Sequence, residues 1–196
     1  KTAWLNVPFL FLRNGVGLLA LTAAAFAILF FSVRCDVRMM AREAAQLPES
    51  RREEREETAA VVSANICGIL YAVMFSLLAF DLIMSLSPHW YSSLFGAYYF
   101  VGSFLTGLAA LMILAGITVT ATGLGAFIRP RQFHDLGKLL LGFTVMTGDF
   151  FYTQFLVIWY GNLPEETEFV ILRTRFAPWA PLAWTVLVVC FIFPFL

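Results

Sequence analysis

Two carboxylates stand inside long apolar runs of this 196-residue chain: Asp149, midway along Leu139 to Tyr160, and Asp81, near the end of Ala59 to Leu86. An acid at the centre of a membrane-spanning helix costs about 3 kcal/mol on insertion scales, so each needs a partner or a task. Two acids at different depths suit a stepwise proton path. His134, Asp135 and Lys138 gather just before the Leu139 to Tyr160 run and would line its entrance. At about 100° per residue, eleven residues bring a helix almost back to its starting face. Lys138, Asp149 and Tyr160 therefore share a face with Gly142 and Thr153, whereas Gln154 aligns with Phe143, Thr147 and Ile158. The first face is a polar stripe that lipid cannot satisfy, so it calls for another helix or water. Around Asp81 the inner side is apolar (Leu70, Val73, Met74) and Ser85 lies one turn outward, which opens Asp81 to protons from outside. A structural role competes with the proton role: either acid can tie helices together by hydrogen bonds or pair with a base elsewhere in the polypeptide.

A short outer turn, Ser87-Pro88-His89-Trp90-Tyr91, carries the other candidate chemistry. Trp and Tyr at such a place serve as interfacial anchors. Alternatively His89, Trp90 and Tyr91 frame a quinone headgroup, with the imidazole taking a proton as a quinol is oxidised. The two histidines, His89 and His134, fall in loops on opposite faces, whereas a haem held between helices is usually ligated by histidines inside them. Cys35, Cys67 and Cys190 lie far apart, without the spacing of a cluster or disulfide framework. No cofactor bound by the chain itself is expected beyond contact with a quinone or quinol, and no metal.

The elements that must position these groups are membrane helices. Only 13% of residues are charged, about half the share in a soluble domain, and 60% are hydrophobic. The net charge is zero, which gives no reason to expect a nucleic-acid partner. Four apolar runs are long enough to span: 15–33, 59–86, 94–122 and 137–161, with a fifth opening at 179–196. Residues 1–14 read as an interfacial segment or the end of an earlier helix, 34–58 as a charged loop and 162–178 as an outer loop. In the third run, Ser103 with Gly107 and Thr106 with Ala110 recur at four-residue spacing, a pattern of close helix packing. The chain starts at Lys1 without Met and stops inside an apolar run, so it is expected to belong to a longer polypeptide.

Loop charges set an expected orientation. Residues 34–58 and 123–138 together carry nine Lys and Arg, against four on the opposite face, which places the first set in the cytoplasm and 87–92 and 162–178 outside. The stretch Arg51 to Glu57, R-R-E-E-R-E-E, reads as a solvated helix held by local ion pairs.

The stretch from Asp81 to Gly96, D-L-I-M-S-L-S-P-H-W-Y-S-S-L-F-G, resembles the D-W-x-M-S-L-x-P-H-W-[FY]-S-T pattern of the NrfD/polysulfide-reductase-like membrane subunits. F-H-D-L-G-K-L-L-L-G-F (Phe133 to Phe143), and Gln154 followed by I-W-Y-G-N-L-P-E-E-T (Ile158 to Thr167), resemble one branch of them. That branch is the second quinone-binding-type (ActF) subunit of bacterial alternative complex III, a quinol:electron-acceptor oxidoreductase. The resemblance implies about half of a subunit of roughly ten helices built around two four-helix bundles, without haem or cluster of its own. It also implies partners: a homologous NrfD-like membrane subunit, a periplasmic iron–sulfur subunit and cytochrome c subunits. Asp81, His134, Asp135, Lys138 and Gln154 map onto motif positions and would belong to a proton route. The chain departs from the pattern at Leu82, where a tryptophan is expected, at Ser87, where an aspartate is, and at Thr147-Gly148-Asp149.

The sequence thus predicts an all-α, polytopic membrane helix bundle, an NrfD-like four-helix bundle with flanking helices, in a bacterial cytoplasmic membrane. Its expected function is that of a quinol oxidoreductase subunit providing scaffold, a proton path through Asp81, His134, Asp135, Lys138, Asp149 and Gln154, and quinone contact. Two alternatives stay open, a secondary transporter with acids at midplane, usually on broken helices, and a purely structural membrane anchor.

Overall fold

The computed structural model describes residues 6–45, 51–87, 90–122 and 130–195, and the regular structure among them is helical. Four helices are long and apolar enough to cross a membrane, and a bent pair adds a fifth candidate. The chain is an all-α, multi-pass membrane protein built as two compact units, Lys1–Asp81 and Leu82–Leu196.

In the first unit α1 (Val7–Ala45, 39 residues) and α2 (Arg51–Leu78, 28 residues) form a hairpin. Ion pairs fix its antiparallel register: Arg13 of α1 meets Asp81, and Arg34 and Arg38 meet Glu56. At about 1.5 Å per residue α1 is roughly 58 Å long, nearly twice the hydrocarbon thickness, so it projects well beyond the apolar layer. The segment expected to precede the first span is therefore the opening of α1 itself from Val7 onward. Pro8 sits in the first turn, where its missing N–H costs nothing, and no later residue breaks the helix.

The charged segment 34–58 is also mostly helical; its connecting residues 46–50 lie outside the described ones. Glu56 corrects the expectation of purely local pairing along R-R-E-E-R-E-E. Its Oε1 reaches across to α1, 2.5 Å from Arg38 Nη1 and 3.6 Å from Arg34 Nε. Between the two sets of ion pairs the helices close on apolar contacts, and Met74 fills the hollow at Gly17, where any Cβ would collide with its thioether. The pairs lie 21 to 25 residues apart along α1, roughly 32 to 38 Å, so they bracket a hydrocarbon-sized apolar segment.

Past Leu78, α2 widens into a π-helical turn (Ala79–Ile83) and tightens into a 3₁₀ turn (Met84–Leu86). In sequence, Pro88 lacks the N–H that would have bonded to the Met84 carbonyl, and Ser87 N donates to that oxygen instead at 3.1 Å.

In the second unit α3 (Phe95–Thr122) and α4 (Pro130–Gly161) pack together. Their seam holds the buried Val101, Thr144 and Thr147 and the rings of Phe104 and Phe143, 4.7 Å apart. Gly102 is the small residue that meets α4, facing the Thr147 methyl. Thr106, Gly107 and Ala110, expected to mark close packing, are exposed, because small residues permit an approach but do not supply the partner.

α4 begins at Pro130, in the favoured first helical position, so His134 and Asp135 lie on its first turns rather than in a loop. It ends at Gly161, after which Asn162 adopts φ 45° and its N–H bonds the Ile158 carbonyl at 3.0 Å, a left-handed cap that asparagine tolerates. The expected outer loop 162–178 is largely a helix, α5 (Pro164–Arg175). Proline at its start, Glu165 and Glu166 in its first turn, and Arg173 and Arg175 in its last all complement the helix dipole. A bend of 85° leads into α6 (Trp179–Leu187), which continues through a π turn (Val188–Ile192) and a 3₁₀ turn (Phe193–Phe195). Pro194, which cannot donate to Cys190, accounts for the change of pitch.

Candidate functional site

The first unit contains a buried charge cluster. Asp81 is 4% exposed on the π-helical turn, a type of helix distortion that recurs at functional sites. Arg13 Nη2 pairs with Asp81 Oδ2, and Asn14 Nδ2 donates to the same oxygen at 3.3 Å and to the Leu10 carbonyl at 3.0 Å. The extra residue of the π turn allows the carboxylate to face α1 while the rest of α2 keeps its own seam. Arg13 also lies over the Phe9 ring, 5.3 Å from its centroid, which helps hold the guanidinium in place. The base that could pair with Asp81 thus comes from this same chain. In the sequence Arg13 is one of the four Lys and Arg assigned to the outer face, with Lys1, Arg173 and Arg175. The signal was present in Arg13-Asn14, two polar residues opening the run that becomes α1, and in the hairpin spacing that sets them level with Asp81.

In the second unit the two faces of α4 separate as the helical spacing predicts. Thr147 and Ile158 are buried and Phe143 and Gln154 half-buried, so this is the packed face. Lys138, Gly142, Asp149 and Tyr160 are exposed on the other. No hydrogen-bond donor reaches Asp149 among the described residues. His134 and Asp135 are exposed on the first turns, and Lys138 Nζ lies 3.6 Å from Asp135 Oδ1, an ordinary one-turn pair at the surface. Thr144 and Thr147 hydroxyls donate to the Leu140 and Phe143 carbonyls at 2.8 and 2.7 Å, which commits their protons to the backbone. Within the second unit, the described candidate proton residues therefore do not form one cluster. Asp81 belongs to the first unit, Asp149 and Lys138 to an exposed stripe, and Gln154 to the packed side.

Gln154 lines a cavity of about 390 Å³ among the ends of α3, α4, α5 and α6, with Trp90 and Tyr98 in the same lining. Trp90, 5% exposed, stacks on Phe169 with centroids 3.9 Å apart and planes within 4°, and Phe95 meets the indole edge-on at 5.1 Å. The Arg173 guanidinium lies 3.4 Å from the Phe169 centroid, while its Nη1 donates to the Phe169 carbonyl at 3.0 Å. Phe151 and Phe191, stacked at 6.1 Å, close another side. Of the outer-turn candidates, Trp90 reaches the cavity, Tyr91 is 72% exposed, and His89 lies outside the described residues. Tyr98, Phe169 and Arg173 were not singled out from sequence, since their meeting depends on α5 packing beside α4 and on the Trp90–Phe169 stack.

Gly148 lets Phe191 approach: a Cβ there would lie 3.2 Å from two ring carbons. Gly148→Ala should move that ring by a few tenths of an ångström and cost about 1 kcal/mol, seen as a lowered Tm of the purified protein in detergent. An unchanged Tm would mean that the ring yields freely.

Comparison of the chain with models of known protein families and with curated proteins found no match.

Proposed function

We infer that this chain is an integral membrane subunit of a quinol:electron-acceptor oxidoreductase of the alternative complex III type, in a bacterial cytoplasmic membrane. The observation that carries the reading is the cavity of the second unit. Trp90, from the stretch Asp81 to Gly96, and Gln154, at the head of the last resembling stretch, are far apart in sequence yet line the same apolar space. Two separate pieces of the resemblance thus contribute to one place.

In this reading the chain supplies scaffold, quinone contact and part of a proton route, while electrons pass through cofactors of an iron–sulfur subunit and cytochrome c subunits. The route would follow the exposed stripe of α4, from Asp135 and Lys138 to Asp149. Asp149 lies eleven residues beyond Lys138, roughly 16 Å along the helix, so water or a neighbouring subunit's helix must bridge the interval. Asp81, held by Arg13, would join such a route only when that pair opens.

The carrier alternative places acids on broken helices. Among the described residues the sharply bent pair is α5 and α6, and neither Asp81 nor Asp149 lies on it; Asp81 sits instead on the π turn that ends α2. Affinity purification of the tagged full-length protein from native membranes tests the reading. Co-isolation with c-type cytochromes, an iron–sulfur protein and quinol oxidation activity is expected; isolation as a lone polypeptide would overturn it.

A further inference from the structure

We propose that the cavity of the second unit binds the ring of a quinone or quinol, with the Tyr98 hydroxyl and the Gln154 side-chain amide as its hydrogen-bonding groups. This rests on the quinol oxidoreductase reading and moves the contact inward from the outer turn to α3 and α4.

Three features select this class of ligand. The walls are flat and aromatic, and the Trp90–Phe169 stack builds one of them before any ligand arrives. Next, polar groups are few and complementary. Gln154 spends one N–H on the Phe150 carbonyl at 3.1 Å, which leaves its second N–H and its carbonyl oxygen. The Tyr98 hydroxyl makes no hydrogen bond among the described residues, although the Cys190 thiol lies within electrostatic reach of it. Donors suit the carbonyl oxygens of a quinone, and the amide and phenol oxygens can accept from the hydroxyls of a quinol, so both redox forms are served. An acyl chain in the same place would leave these groups unanswered in an apolar cavity. Lastly, among the described residues no carboxylate lines the space, and the one cation that does, Arg173, is engaged by the ring and carbonyl of Phe169. A neutral ring therefore fits better than an anionic headgroup.

The site binds the ring; it does not itself oxidise it. A short-tailed azidoquinone photoprobe, applied to the purified native complex and mapped by mass spectrometry, tests the assignment. Labelling is expected within residues 90–98 and 151–174, and excess decylubiquinone should compete it away. Each of Tyr98→Phe and Gln154→Leu should weaken that competition about tenfold, the loss expected for one hydrogen bond in a desolvated site. Because the wild-type map requires no variant to fold, the assignment stays testable even if both substitutions prevent assembly. Labelling confined to other subunits, or displaced by phospholipid as well as by quinone, would overturn it. A complex that oxidises quinol but leaves this cavity unlabelled rejects the site alone. A lone polypeptide labelled in the cavity rejects the complex assignment and keeps the site.

Discussion

Replacing Arg13 with leucine should destabilise the α1–α2 hairpin by about 3–5 kcal/mol, because it removes the guanidinium paired with the buried Asp81 carboxylate, 4% exposed. Asn14 donates to the same oxygen at 3.3 Å, but one amide hydrogen bond is worth about 1 kcal/mol and cannot replace a guanidinium. The double replacement Arg13→Leu with Asp81→Leu should recover most of the loss, since an apolar pair of similar volume incurs no charge desolvation. Equilibrium unfolding of the full-length protein in mixed micelles reads both results. A single variant that costs less than about 1 kcal/mol would show that Asp81 reaches water or another base. The same experiment bears on the role of Asp81: a loss of the full size expected marks the pair as a structural tie between α1 and α2.

Asp149 predicts a large effect of the opposite sign. It is exposed on α4 at the middle of the Leu139 to Tyr160 run, where an aspartate costs about 2.5–3.5 kcal/mol on insertion scales. Asp149→Leu should therefore improve membrane insertion of α4 by at least a hundredfold in a glycosylation-mapped insertion assay. In the proposed quinol oxidoreductase complex the prediction reverses. If the stripe Lys138–Asp149–Tyr160 borders a proton route, Asp149→Asn in reconstituted vesicles should keep quinol oxidation and lose most of the coupled proton movement. Unchanged coupling would assign Asp149 to helix association. An insertion ratio that does not rise would show that α4 enters the membrane displaced or tilted, with Asp149 near an interface.

Much of the architecture was legible because bilayer thickness and helical rise act locally. Apolar run lengths located the long helices, and the period of about 100° per residue separated the faces of α4. What escaped was also physical. Charged residues at the ends of α1 and α2 read as loop because composition tells where lipid ends, not where the helix ends. The helix of α5 was available in L-P-E-E-T, a proline followed by acids, but the short length and low hydrophobicity of 164–175 hid it behind the search for spans. The fourfold spacing in α3 named the wrong small residues, since Gly102 and not Gly107 meets α4.

By itself the sequence determined the class of the protein, the long membrane helices and the two-faced character of α4, because each follows from residues near one another in the chain. Only the tertiary structure decided which polar groups meet. Arg13 and Asp81 come together through a hairpin 68 residues long, and Trp90, Tyr98, Gln154 and Phe169 come together through the packing of α3, α4 and α5. Such meetings depend on how helices turn toward one another, and that is fixed by summed side-chain packing, which periodicity along a single helix does not contain.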